Sequence, residues 1–243
     1  MIIFKLLLIA HFIGDFVLQP KKLVESKKNN INRLVTHTIV YTLLITLVLL
    51  FFGSLGEILF WSGITFFSHF LIDYLRIKIT TKYKNNITSF YAFIIDQILH
   101  VILLLIISSI IKINLNLIGN YFYNIDFFKN ISFPTIINYC LAFSIVLKPT
   151  EVFIKHLFNF LFNKTDLCED NKPDNIGALI GKLERVLILL LGLLGLYSSI
   201  ALVLTAKSLA RFKQLNDQKF AEKYLVGTLI SLIIAILSLL IIK

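Results

Sequence analysis

Apolar stretches recur from one end of this chain to the other, most of them nearly as long as a bilayer is thick. They cover residues 2–18, 34–52, 57–75, 91–111, 185–206 and 224–242, and a weaker region at 134–162 is broken by Lys148 and Pro149. In hydrocarbon the backbone must satisfy its own hydrogen bonds, so runs of this length predict helices. Polar connectors separate them at 19–33, 76–90, 112–133, 163–183 and 207–223, and Gly53 and Gly56 mark a tight turn between the second and third. The pattern predicts an all-α, polytopic helical membrane protein with about six to eight transmembrane helices. It divides into a four-helix membrane domain (1–112), a polar connector (113–133) and a C-terminal membrane helical region (134–243). Residues 2–18 read as a retained first helix, because Gln19, Pro20 and Lys21 follow where a signal peptide would place small residues.

Composition supports the membrane reading: 57% of residues are hydrophobic and 16% charged. The net charge of +10 collects in connectors such as 27–33 and 82–86, where lysine and asparagine crowd together. Those segments lack interleaved aromatics, so the implied partner is the lipid bilayer and no nucleic acid is expected. Basic connectors favour the cytoplasmic side, which places 19–33, 76–90 and 207–223 inside and the N-terminus outside. An even number of crossings is then needed between 112 and 184, with 134–162 a short hairpin or re-entrant element broken at Pro149. The alternative makes 134–148 one crossing and 149–163 an interfacial helix. Cys140 and Cys168 form neither a disulfide framework nor a paired zinc motif.

The chemistry lies in the first hundred residues. His11 and Asp15, His69 and Asp73, and Asp96 and His100 each stand four apart in apolar stretches, and His37 stands alone in THTIVY. Four-residue spacing puts both side chains on one helix face. The order reverses in the last pair because the helix reverses direction. His37 falls in the first turn of the second stretch, so all seven groups are expected at one depth in the inner leaflet, within roughly two turns of each other. Ionisable groups there are costly and face a bundle interior. Imidazole and carboxylate without thiolate suit Zn, Mn, Fe or Ni, so His11, Asp15, His37, His69, Asp73, Asp96 and His100 are candidate ligands of a divalent transition metal, with zinc favoured. Asp96 and His37 are the candidate catalytic residues. Gln19 and Gln97 flank two of the aspartates and are positioned to orient water or substrate, and Arg76 to clamp an anionic group such as phosphate.

His156 reads as an interfacial residue of an amphipathic helix. In the C-terminal half, Glu184 and Arg185 enter a helix and Lys207 and Arg211 leave it, with Glu222 able to pair with either of the latter; solvated or snorkelling ends explain Lys213, Lys219 and Lys223. Gly177 and Gly181 form a GxxxG that permits close helix approach.

HFIGDFVLQ, His37, HFLIDYLR and DQILH resemble the pattern of an uncharacterised bacterial membrane-protein family, domain of unknown function 3307, over about residues 1–105. The ending GALIGKLERVLI…AKSLARF…EKYLVGTLIS resembles a C-terminal extension of some members. The resemblance implies a bacterial inner (cytoplasmic) membrane location. SHFLIDYL is also similar to histidine/aspartate segments of inner-membrane metal-dependent hydrolases, although their PDxD-type segment has no counterpart here. Three functions compete: a metal-dependent hydrolase of a lipid-linked or phosphoester substrate, a cation or proton transporter, and a non-catalytic scaffold binding a cytoplasmic partner.

Overall fold

A computed structural model describes residues 2–28, 30–111, 132–162 and 175–242; the connector expected at 113–133 lies almost wholly outside them. All regular structure among the described residues is helical. The chain forms two compact units, Met1–Leu141 and Ala142–Lys243. Among the described residues, five helical stretches are long and apolar enough to cross a membrane: Ile31–Leu49, Leu55–Lys82, Asn86–Ile110, Phe133–Leu161 and Gln218–Leu240.

The first unit begins with α1 (Ile2–Phe12), which runs into a π-helical turn at Ile13–Val17. A short α2 (Lys21–Ser26) lies within the polar connector 19–33, and α3 (Ile31–Leu49), α4 (Leu55–Lys82) and α5 (Asn86–Ile110) follow. Polar residues start these helices by supplying acceptors for unpaired N–H groups. Asn30 caps α3 and Asn85 caps α5, while Ser54 and Glu57 form a reciprocal capping box on α4. Lipid is as apolar as leucine, so packing and interhelical polar contacts hold such a bundle together. At the Gly53 end it is filled by Ile3, Leu7, Ile45, Leu49, Ile58, Trp61, Leu104 and Ile107, all buried. Thr46 and Ser62 join α3 to α4 there, 2.7 Å between hydroxyls. The outer helix faces stay apolar: Leu43 is 63% exposed and Phe67 is 72% exposed, as lipid-facing positions would be.

The helix α6 (Phe133–Val146) starts in the first unit, where Asn138 accepts a 2.6 Å bond from Lys5. It ends in the second unit at a break at Leu147, and α7 (Lys148–Leu161) follows with Pro149 in its first turn. That is the interruption expected near Pro149, a position where proline costs no hydrogen bond. The apolar stretch 185–206 is two helices rather than one: α8 (Asn175–Leu193) and α9 (Tyr197–Ala210). Gly195 turns the chain at φ +73°, and Leu196 N–H closes the turn on Leu191 O at 2.9 Å. The last helix, α10 (Gln218–Leu240), is capped by Asp217.

Among the described residues, the GxxxG makes no helix contact. Nothing lies within 4 Å of a β-carbon placed at Gly177, and at Gly181 only the Arg185 guanidinium does. Close approach occurs instead at Gly192 against Leu239 and at Gly227 against Phe158.

Candidate metal centre

The connector end of the first unit gathers the polar residues. In the π turn Leu18 N–H bonds Ile13 O, five residues back, at 2.9 Å. Such turns recur at functional sites, because one extra residue re-aims the side chains. Gly14 makes it fit: a β-carbon there would stand 2.8 Å from the Tyr41 ring. Asp15 is thereby aimed across the bundle. Its Oδ2 stays 3.8 Å from His11 Nδ1, while Oδ1 faces α3 and α4. Since α3 starts at Ile31, His37 sits in its second turn, not its first. His69 and Asp73 lie on the inner face of α4, Asp96 and His100 on that of α5. Apart from the slightly more open Asp15, every one of the seven is at most 2% exposed.

All seven converge, but not as one ligand set. Asp15, His37 and His69 stand apart from the rest. Asp15 Oδ1 is 3.4 Å from His37 Nε2 and 3.6 Å from His69 Nε2, and the two imidazole nitrogens are 3.1 Å apart. Ligand atoms about 2.0–2.1 Å from a tetrahedral zinc lie roughly 3.3–3.4 Å from one another. The triangle therefore has the size of one face of a metal polyhedron. Its electron count points the same way. With neutral imidazoles, one N–H can bridge the two nitrogens, and Asp15 Oδ1, buried, has no hydrogen-bond partner. With both imidazoles protonated at Nδ1 instead, a cation placed against that face would meet three lone pairs. Two imidazoles and one carboxylate, with further positions open, is the donor set of catalytic zinc and of non-haem iron(II).

Asp73 stands beside this face, its Oδ2 3.6 Å from His37 Nε2 and 4.0 Å from His69 Nε2. It is held there by Lys27, whose Nζ donates to the same oxygen at 2.7 Å. Gln19, its amide oriented to suit its neighbours, donates to the Asp15 carbonyl at 3.1 Å and accepts from Lys27 Nζ.

His11, Asp96 and His100 belong to a hydrogen-bond chain. Tyr41 OH donates to His11 Nδ1 at 3.1 Å, and His11 Nε2 donates to Gln97 Oε1 at 3.2 Å. Gln97 Nε2 and Arg76 Nη1 both donate to Asp96 Oδ2 at 3.0 Å. Both His11 nitrogens are thus occupied, and the expectation that His11 is a metal ligand does not fit this geometry. His100 Nδ1 donates to the Asp96 carbonyl at 2.8 Å, which fixes its tautomer and leaves Nε2 a bare acceptor. His69 Nδ1 also lacks a partner, and the two rings are 4.5 Å apart between centroids. Tyr41 stacks on His69 at 3.7 Å.

Sequence reasoning missed Lys27 and Tyr41. Lys27 stands in a run of basic residues that reads as a topology signal, and Tyr41 in an apolar one. It also missed how the second unit uses its charges. Glu184 and Arg185 are buried, not entering from solvent. Lys207 Nζ donates to Glu184 Oε2 at 2.6 Å and Thr228 Oγ1 at 3.0 Å. Arg185 donates through Nε to Val146 O at 2.6 Å and through Nη2 to Leu147 O at 3.3 Å, satisfying carbonyls freed at the α6–α7 break. Glu222 accepts from Gln218 at 3.1 Å rather than pairing with Lys207. His156 lies on α7, apart from the histidine cluster in sequence and unit; Cys168 lies outside the described residues.

Residues 3–129 match the family model described as Protein of unknown function (DUF3307). No curated protein and no solved structure matches the chain. The match spans just over half of the chain, and the whole triad lies inside it: this protein belongs to the DUF3307 family.

Proposed function

We propose that this member of the DUF3307 family is a membrane-embedded metal-dependent hydrolase, acting on a lipid-linked or phosphoester substrate at the cytoplasmic leaflet of a bacterial inner membrane. The observation that carries the reading is the triangle of Asp15 Oδ1, His37 Nε2 and His69 Nε2, with sides of 3.1–3.6 Å and one corner bare. A divalent first-row ion, zinc by donor set, would polarise a phosphoryl or carbonyl oxygen and make a bound water acidic. The protein's own groups supply the rest. His37 would hold the ion from α3, with Asp15 and His69. Asp96, its Oδ2 fixed by Arg76 and Gln97, keeps Oδ1 unpartnered as a proton acceptor. Arg76 is a quarter exposed and spends one N–H on Asp96, which leaves the rest of its fork for an anionic headgroup.

Transport is disfavoured by the other half of the bundle. Among the described residues of the first unit, the buried charged side chains and histidines all lie at the connector end, and the Gly53 end is packed with apolar side chains. The test is metal analysis of detergent-solubilised protein. Wild type should retain about one equivalent of a transition metal, and His69→Ala should lose it while remaining folded, because losing a polar contact between membrane helices costs only about 1 kcal/mol. Metal-free wild type after gentle preparation, or full occupancy in His69→Ala, would turn the cluster into a helix fastener.

A further inference from the structure

Lys27 is the least expected side chain in the site. Lysines at helix ends normally reach outward to water or headgroups. Lys28 does so and is exposed, whereas its neighbour Lys27 is 7% exposed. The segment that carries it leaves the π turn at Leu18, folds through α2 and re-enters the bundle at the Asn30 cap of α3. Its Nζ lands on Asp73 Oδ2 at 2.7 Å and on the Gln19 side-chain oxygen. Asp73 Oδ2 is in turn 3.6 Å from one imidazole nitrogen of the triad and 4.0 Å from the other.

We propose that Lys27 is a latch whose ammonium and the metal ion compete for Asp73, so that metal loading frees Lys27 and loosens the chain around it. The inference rests on the metal reading above. The physical argument is charge. A buried ammonium needs a carboxylate partner, and Asp73 is the one carboxylate within salt-bridge distance of it among the described residues. An ion on the adjacent face would put a second cation within a few ångströms of Lys27, where water screens little. Asp73 then turns toward the ion, and Lys27 loses its reason to stay buried. With Lys27 released, Gln19 loses its donor. Linkage makes the effect reciprocal: whatever the ion does to the latch, the latch does to the affinity of the ion.

The experiment measures Zn²⁺ affinity of the full chain in detergent, wild type beside Lys27→Gln, and amide exchange of residues 20–30 in wild type with and without Zn²⁺. The expected result is binding at least tenfold tighter in Lys27→Gln, and exchange at 20–30 at least tenfold faster in metal-loaded wild type. The exchange measurement needs no variant and so survives a poorly folding one. Equal or weaker affinity in Lys27→Gln, or connector exchange unchanged or slowed by Zn²⁺, overturns the latch while the metal site stands. Absence of Zn²⁺ binding in either protein overturns the metal site and the latch with it.

Discussion

Gly14 and Tyr41 show how much of the site depends on single side chains that carry no charge. A methyl group at residue 14 would strike the Tyr41 ring, which stacks on His69 and bonds His11. Gly14→Ala must therefore shift the π turn or the ring, and either movement drags Asp15 or His69 out of the triangle. Overpacking of this kind costs about 1–3 kcal/mol. The expected outcome is a lower melting temperature together with metal affinity weakened by more than about tenfold, since Asp15 adjoins the substituted residue. Tyr41→Phe keeps the ring and loses only the hydroxyl bond, about 1 kcal/mol, and should bind metal within a few-fold of wild type. Isothermal titration of the two variants decides it; a Gly14→Ala protein with wild-type affinity would mean that the turn does not aim Asp15. The histidine–aspartate pairs were legible in sequence because helical periodicity fixes what shares a face. That they would divide into a triangle of facing ligand atoms and a hydrogen-bonded chain was not, since the division turns on one extra residue in the π turn and on which nitrogen of His11 meets Tyr41.

Among the elements, the broken helix pair α6 and α7 depends on a residue far away in sequence. Arg185 on α8 satisfies the carbonyls of Val146 and Leu147 and also reaches Ser231 on α10 at 3.3 Å. Arg185→Met leaves the buried Val146 carbonyl and the half-buried Leu147 carbonyl without that donor, which costs about 1–3 kcal/mol for the buried one. The variant should be destabilised by about 1–3 kcal/mol in detergent melts, and Arg185→Lys should recover only part of that, because an ammonium lacks the fork that spans two acceptors. Metal content, set by the first unit, should stay at the wild-type level. Full stability in Arg185→Met would show that the break is satisfied some other way. The sequence announces this break through Lys148 and Pro149, but the one at Gly195 is silent. Hydropathy runs unbroken from 185 to 206, and only the left-handed backbone at Gly195 divides it. In the same way a glycine pair at GxxxG spacing advertises a helix contact that the fold makes at Gly192 and Gly227 instead. Spacing on one helix says which face a residue is on, not which face is opposed.

For the whole molecule, the distribution of polarity decides which way matter moves. One end of the first unit holds the site, Lys27 and Arg76, and the chain leaves the helices at that end after Val17 and after Lys82. The other end is closed by Ile45 and Leu49 on α3, Ile58 and Trp61 on α4, and Leu104 and Ile107 on α5, all buried. A hydrated divalent ion would have to shed its water to pass through that plug, and the plug offers no carboxylate or imidazole to replace it. Metal exchange should therefore be one-sided. In sealed vesicles of known orientation, a membrane-impermeant chelator should strip metal from protein whose basic connectors face the bulk solution, and should leave the opposite orientation loaded for hours. If the basic connectors face the cytoplasm, as the positive-inside pattern predicts, inverted membranes should lose metal and right-side-out ones keep it. Equal stripping from both sides, or uptake of metal into empty vesicles that Asp15→Asn abolishes, would mean that the apolar half opens. The cluster would then be the midpoint of a transport path rather than the floor of a one-ended site.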